Sequence, residues 1–236
     1  QKTAYEIRLS LVGSEMCIRD RACRKFNIHL IADEIAVGFG RTGTMFGFQQ
    51  AKITPDIICL SKGITGGYMT LSTILTTDDI YDAFYDEYEK LNAFLHSHSY
   101  TANPIACSAA NATLDIFKDK DVIKKNKILS AHMRKCFESL KDHPHVSDVR
   151  QKGMVLAIEL IKDKKRKVSY DWKERRGIRA YLHGLKNNVL MRPLGNVLYF
   201  MPPYVITKKE ISFVSEIMKE GVDAVSYTHL TLPTKA

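Results

Sequence analysis

The stretch LIADEIAVGFGRTG, residues 30–43, followed by PDIICLSKGITGG, residues 55–67, decides how this chain reads. Two short apolar runs, residues 28–32 and 57–60, each lead to a charged residue. The first meets Asp33, the second reaches Lys62 after Ser61. Runs of four or five residues with only His29 interrupting predict strands buried on both faces of a sheet. Gly38, Gly40 and Gly43 predict a turning loop after the first strand, and Gly66 and Gly67 break the chain after the second. Reactive side chains at the C-terminal ends of neighbouring strands are the arrangement by which open α/β sheets gather ligands.

Working outward, residues 22–26 read as the tail of a helix and residues 71–76 as a third strand. Asp78 and Asp79 open a helix predicted to run through Tyr88. Asn103 and Pro104 have the chemistry of an N-cap and a first helical position, so a helix starts there and runs to about Lys118, with Ala106, Ala109 and Ala110 on a close-packed face. A second long helix covers residues 122–140. The pattern then changes to strands at 146–150, 154–160, 189–192 and 197–201, with helices at 175–187 and 208–221. The expected architecture is α/β: the C-terminal part of a large sheet-bearing domain (22–120), then a smaller α+β domain (121–224).

The two ends are read differently. Back-translated, QKTAYEI, LVGSEMCIRDR and VSYTHLTLPT fit the codons of sequencing-library adapters, with Arg8 and Leu9 where a sample index falls. Residues 1–21 and 225–236 are therefore expected to be adapter-derived and are set aside. The formal net charge is +9, and setting those ends aside leaves +7. Much of the excess lies in KDKKRK and KERR within residues 162–179. No aromatic interleaving or recognition motif accompanies it, so a solvated loop is expected rather than a nucleic-acid surface. No apolar run is long enough to cross a membrane. The cysteines are widely spaced without metal-binding intervals, which reads as reduced, mostly buried thiols in a cytoplasmic protein. His96 and His98 lack a third ligand cluster, so no metal site is expected. Gly38, Gly40 and Gly43 have the spacing of a dinucleotide-binding loop, but no helix pattern opens after them, so they read as backbone turns.

DEIAVGFGRTG and PDIICLSKGITGG, together with HSHSYTANPIACSAANATL and MRPLGNVLYFMPPYVIT, resemble the class III (omega) aminotransferases of the type I pyridoxal-phosphate fold. The resemblance covers nearly all of residues 22–223. It implies pyridoxal 5′-phosphate as cofactor, Lys62 as the Schiff-base lysine and proton carrier, and Asp33 as partner of the protonated pyridine nitrogen. Ser99, four residues before Asn103, matches a hydroxyl that reaches the cofactor phosphate across a homodimer interface where the active site lies; read alone, it is a turn serine. Arg192 matches the arginine that clamps a substrate carboxylate, and Tyr199 a tyrosine of the substrate pocket. By themselves they read as a surface arginine and a packed strand aromatic. Arg41 faces the site or staples the glycine loop.

Within the family, GGYMTLSTILTT, FLHSHSYTANPIACSAA and the RP-x-G to MPPY segment resemble the biotin-synthesis branch. Its members aminate 8-amino-7-oxononanoate, with S-adenosylmethionine or lysine as donor. Another class III activity (ω-amino acid, ornithine or diamine) and a non-catalytic binding relative remain as alternatives. The family's N-terminal half is missing from this sequence, so the chain alone is expected to be inactive and poorly folded.

Overall fold

The computed structural model describes residues 14–96 and 98–227, so residues 1–13 and 228–236 of the adapter-like ends lie outside the described residues. The chain divides into two compact units at Lys124/Lys125.

The first unit starts with helix α1 (Ser14–Phe26) and three strands: β1 (Ile31–Asp33), β2 (Ile57–Leu60) and β3 (Thr73–Thr76). They form one mixed sheet in the order β1-β2-β3, with β1 parallel and β3 antiparallel to β2. Asp56 sets the register. Its carboxylate accepts the Leu30 N–H at 2.6 Å, while the N–H groups of Asp56 and Ile57 donate to the Leu30 carbonyl at 2.9 and 3.2 Å. Ile31 thereby pairs with Ile57 and Asp33 with Cys59.

Helices α2 (Asp78–Asp82) and α3 (Pro104–Asp119) complete the unit. As expected, the Asn103 side chain caps α3, accepting from the N–H groups of Ile105 and Ala106 at 3.0 and 3.2 Å. Ala106 and Ala110 are buried one turn apart, and α3 packs on the 3-10 turn Lys62–Thr65. The core here is small: Phe39, Leu60, Ile64 and Ala110, flanked by Met45, Phe46, Ile58, Leu71 and Phe117.

The second unit takes in most of α4 (Val122–Phe137), then β4 (Val146–Lys152), β5 (Val155–Leu160), α5 (Arg176–Lys186), β6 (Arg192–Leu194), β7 (Val197–Phe200) and α6 (Lys208–Tyr227). Its four strands make an antiparallel sheet in the order β4-β5-β7-β6. Met133 and Phe137 of α4, Ala180 of α5 and Ile211, Met218 and Val222 of α6 close over Leu156, Ile158 and Leu198 of the sheet. This is the larger of the two cores, and residues 164–168 of the basic loop lie outside it, largely in solvent.

Four expectations are corrected. The first strand is shorter than residues 28–32 and is not buried on both faces: Ile28 and Ile31 are each 58% exposed, because only the face of β1 that carries Ala32 is covered among the described residues. The helix expected from Asp78 to Tyr88 ends at Asp82. Tyr81, Phe84 and Tyr85 find no surface to cover and stay exposed, and a short helix without a packed face is marginal. The strand expected at 189–192 begins only at Arg192, because Asn188 and Val189 terminate α5. Asn188 turns left-handed (φ 60°), and the N–H groups of Asn188 and Val189 donate to the carbonyls of Leu185 and Gly184, a Schellman ending. The cysteines are free but half-buried rather than mostly buried, since they sit on helix and strand faces that are only partly covered. Among the described residues, no helix is long and apolar enough to cross a membrane.

Candidate active site

The parallel pairing of β1 and β2 puts Asp33 and Lys62 at the same end of the sheet. Asp33 is the last residue of β1, paired with Cys59, and Lys62 follows Cys59 by three residues. Both side chains are exposed. Asp33 Oδ1 accepts the Ile35 N–H at 3.0 Å, and its second oxygen has no partner among the described residues. Lys62 Nζ makes no hydrogen bond or ion pair among the described residues. Its backbone is left-handed, φ 47°, which costs a non-glycine residue roughly 1–2 kcal/mol. Such strain persists only where surrounding structure imposes it.

That surrounding structure comes from both flanking loops. Ser61 Oγ donates to the Leu71 carbonyl at 2.7 Å, and buried Thr65 Oγ1 donates to the Met69 carbonyl at 2.6 Å, folding residues 61–71 back on themselves. Gly66 caps the turn with φ 60°. On the other side, Phe39 of the glycine loop packs on Gly63. Arg41 is half-buried in that same loop, with its N–H directed to the Gly38 carbonyl at 3.5 Å. Ser99 is exposed in the turn closed by the Thr101 N–H and the His98 carbonyl at 2.9 Å, just ahead of the capped start of α3.

In the second unit, Arg192 and Tyr199 are direct cross-strand partners on β6 and β7. The Arg192 guanidinium lies 5.8 Å from the centre of the Tyr199 ring, a cation–π arrangement. Arg192 is exposed and has no ion-pair partner among the described residues, so its charge is available to an anion. The hairpin that carries it sits on α5 at Gly177, where an added Cβ would stand 2.8 Å from Pro193 Cβ.

Sequence reasoning gave no role to two residues that organise this site. Glu34 is buried with its carboxylate on two backbone N–H groups, and Phe39 is the ring that joins the two site loops. Strand alternation carried a signal for the first: if Asp33 faces outward, the next residue faces in. Nothing in the sequence separated Phe39 from the other loop residues.

The donor set suits an aldehyde on a ring that carries an N–H donor. A free primary amine and a carboxylate with an unused oxygen share one sheet end.

The sequence model of the class-III aminotransferases matches residues 18–222. Among curated relatives, the adenosylmethionine-8-amino-7-oxononanoate aminotransferase of Helicobacter pylori is 48% identical over 206 residues, covering 84% of this chain and 45% of that protein. The enzyme of the same name from Geobacter sulfurreducens is 44% identical over 206 residues, covering 86% and 45%. This chain thus spans about half the length of the relatives it matches. Among solved structures, the Methanocaldococcus jannaschii enzyme of that name superposes with a TM-score of 0.84 at 39% identity, over 89% of this chain and 49% of that one. An omega transaminase from Pseudomonas jessenii, solved in complex with PMP, gives 0.82 at 29% identity, over 87% and 45%. The fold is that of the type I pyridoxal-phosphate transferases, and the chain belongs to the class III aminotransferases.

Proposed function

We propose that this chain carries the lysine, the ring-nitrogen partner and the carboxylate clamp of an aminotransferase of biotin biosynthesis. The enzyme transfers an amino group from S-adenosylmethionine to 8-amino-7-oxononanoate, giving 7,8-diaminononanoate. The observation that carries this reading is the placement of Asp33 and Lys62, both with unused bonding capacity, at one end of the parallel strand pair. The names of the relatives at 44–48% identity favour the biotin branch over other class III activities.

Class III aminotransferases depend on pyridoxal 5′-phosphate. When bound, it supplies an aldehyde that condenses with primary amines and a protonated ring that withdraws electrons. Asp33 would offer the unused oxygen of its carboxylate to the ring N–H and so hold that proton. Lys62 Nζ would hold the aldehyde of the cofactor as its primary amine, and its free amine form would serve as the base that moves a proton at the substrate carbon. Ser99 would donate its hydroxyl to a cofactor phosphate oxygen. Arg192 grips the substrate carboxylate with its planar fork, and the Tyr199 ring beside it holds the guanidinium and contacts the substrate. Arg41 contributes to substrate binding from the glycine loop. The active enzyme is a cytoplasmic homodimer with its active site at the interface. It acts on small molecules, with lysine as the alternative donor.

Borohydride reduction in the presence of pyridoxal phosphate, followed by peptide mapping, tests the assignment. The chain is used alone and mixed with the N-terminal half of the Helicobacter pylori relative. A reduced adduct on Lys62 is expected. No adduct in the mixture, or one confined to other lysines, overturns it. Amination of 8-amino-7-oxononanoate by the active mixture, set against pyruvate and 2-oxoglutarate, then separates the biotin branch from its alternatives.

A further inference from the structure

Glu34 is only 2% exposed, and all of its hydrogen-bonding groups are engaged. Its Oε2 accepts the Gly47 N–H and its Oε1 the Phe48 N–H, each at 2.9 Å, so the carboxylate closes the start of the 3-10 helix Gly47–Ala51. Its own N–H donates to the Cys59 carbonyl at 3.0 Å, extending the β1–β2 ladder by one rung. Its carbonyl accepts the Gly38 N–H at 2.9 Å. One residue thus ties together the end of β2, the start of the glycine loop and the segment at Gly47. Gly38 and Gly47 make room for it: a Cβ on Gly38 would stand 2.8 Å from the Glu34 carbonyl oxygen, and one on Gly47 would stand 3.3 and 3.4 Å from the two carboxylate oxygens.

Asp33 shares a peptide bond with this residue and has far less support. One oxygen accepts the Ile35 N–H, and the other is unpartnered among the described residues. An exposed carboxylate on a strand end samples several rotamers unless the backbone beneath it is held. Here the hold is Glu34. We propose that Glu34 is a positioning residue for Asp33: anchored on the Gly47 and Phe48 amides, it fixes the backbone direction from which the Asp33 carboxylate leaves β1. The buried carboxylate itself is taken up by the Gly47 and Phe48 amides. It takes up the inward position of the Asp-Glu pair so that Asp33 can keep an oxygen free. This inference rests on the proposed role of Asp33.

Glu34→Gln in the full chain tests it. Glutamine keeps the size of the side chain but turns an amide nitrogen toward one of the two backbone N–H groups, which then loses its acceptor. Without cofactor, residue-resolved hydrogen exchange is expected to accelerate roughly tenfold at Gly47 or Phe48, whichever amide loses its acceptor. It is also expected to accelerate several-fold at Ile35, whose N–H reports the Asp33 carboxylate. Acceleration at Gly47 or Phe48 with Ile35 unchanged overturns the proposal, since Glu34 then holds only the 3-10 helix.

With pyridoxal phosphate bound, the pH midpoint of its visible absorption is compared in a cycle with Asp33→Asn. Glu34→Gln is expected to move the midpoint in the wild-type background and to leave it in place when Asp33 is already replaced. Equal shifts in both backgrounds also overturn the proposal. If Glu34→Gln does not fold, Gly47→Ala pushes the same carboxylate from its other side. Faster Ile35 exchange in that variant supports the proposal, and unchanged exchange sinks it. Failure of the wild-type chain to bind cofactor when mixed with the N-terminal half would count against the proposed function and leave the exchange readout to decide the role of Glu34.

Discussion

Phe39 lies so close over Gly63 that a Cβ on the glycine would stand 2.9 Å from both Cβ and Cδ2 of the phenylalanine. Phe39 is itself pinned, 3% exposed, edge-on to Phe46 at 5.7 Å and tilted against Phe117 of α3 at 6.2 Å. The loop that leaves Asp33 and the turn that carries Lys62 are therefore one packed body.

Gly63→Ala is expected to destabilise the first unit by about 1–3 kcal/mol, the usual cost of overpacking, because neither the ring nor the turn has room to give. Denaturant unfolding measures this. The same variant should lower borohydride labelling of Lys62. Full labelling at reduced stability would show that the turn recovers its shape without the Phe39 contact.

Lys62 pays for its left-handed backbone, so removing its side chain has two separable effects. Lys62→Ala and Lys62→Gly should both lose the cofactor adduct. Lys62→Gly should be the more stable of the two by about 1 kcal/mol, because glycine adopts φ 47° without strain. Equal melting curves for the two would place the strain elsewhere.

The Arg192 hairpin depends on a close approach to α5. Gly177→Ala drives a Cβ into the Gly195 carbonyl and to 2.8 Å from Pro193, and is expected to cost about 1–3 kcal/mol. It should also weaken binding of a carboxylate-bearing substrate, as Arg192→Lys does by roughly tenfold through loss of the planar fork. Both leave retention of the cofactor unchanged. Substrate saturation curves alongside cofactor titrations separate the two effects.

Acid should loosen the start of α6. Glu210 closes a capping box with Thr207: its Oε2 accepts the Thr207 N–H at 2.7 Å and the Thr207 hydroxyl at 2.8 Å, while Thr207 Oγ1 accepts the Glu210 N–H at 3.2 Å. The backbone bond from Thr207, then its hydroxyl, hold the Glu210 carboxyl below the ordinary glutamate value. A lowered carboxyl contributes stability that is present above its unfolded value, near 4.3, and is lost as pH falls through the folded value. Amide exchange in the first turn of α6 should therefore quicken below about pH 4. Glu210→Gln should remove that pH dependence.

Much of this molecule is written in local chemistry. Asn103-Pro104 starts α3 wherever it stands, because the cap and the fixed proline dihedral need no distant partner. The apolar run 57–60 is β2 to the residue, and Lys62 and Asp33 are marked by their place at the ends of apolar runs. What local chemistry could not say is which surfaces have something to pack on. The segment after Asp82 has helical spacing but no covering face, and Val189 has strand composition but is used to end a helix. The partnership of Arg192 with Tyr199 also waited on register, since two residues seven apart meet only when a hairpin pairs them. Glu34 shows the division most clearly. The sequence by itself determined that two carboxylates follow a strand. Only the tertiary structure decided which one is free, because a buried carboxylate needs N–H donors, and the two that serve Glu34 come from Gly47 and Phe48, across a loop whose path the sequence did not reveal.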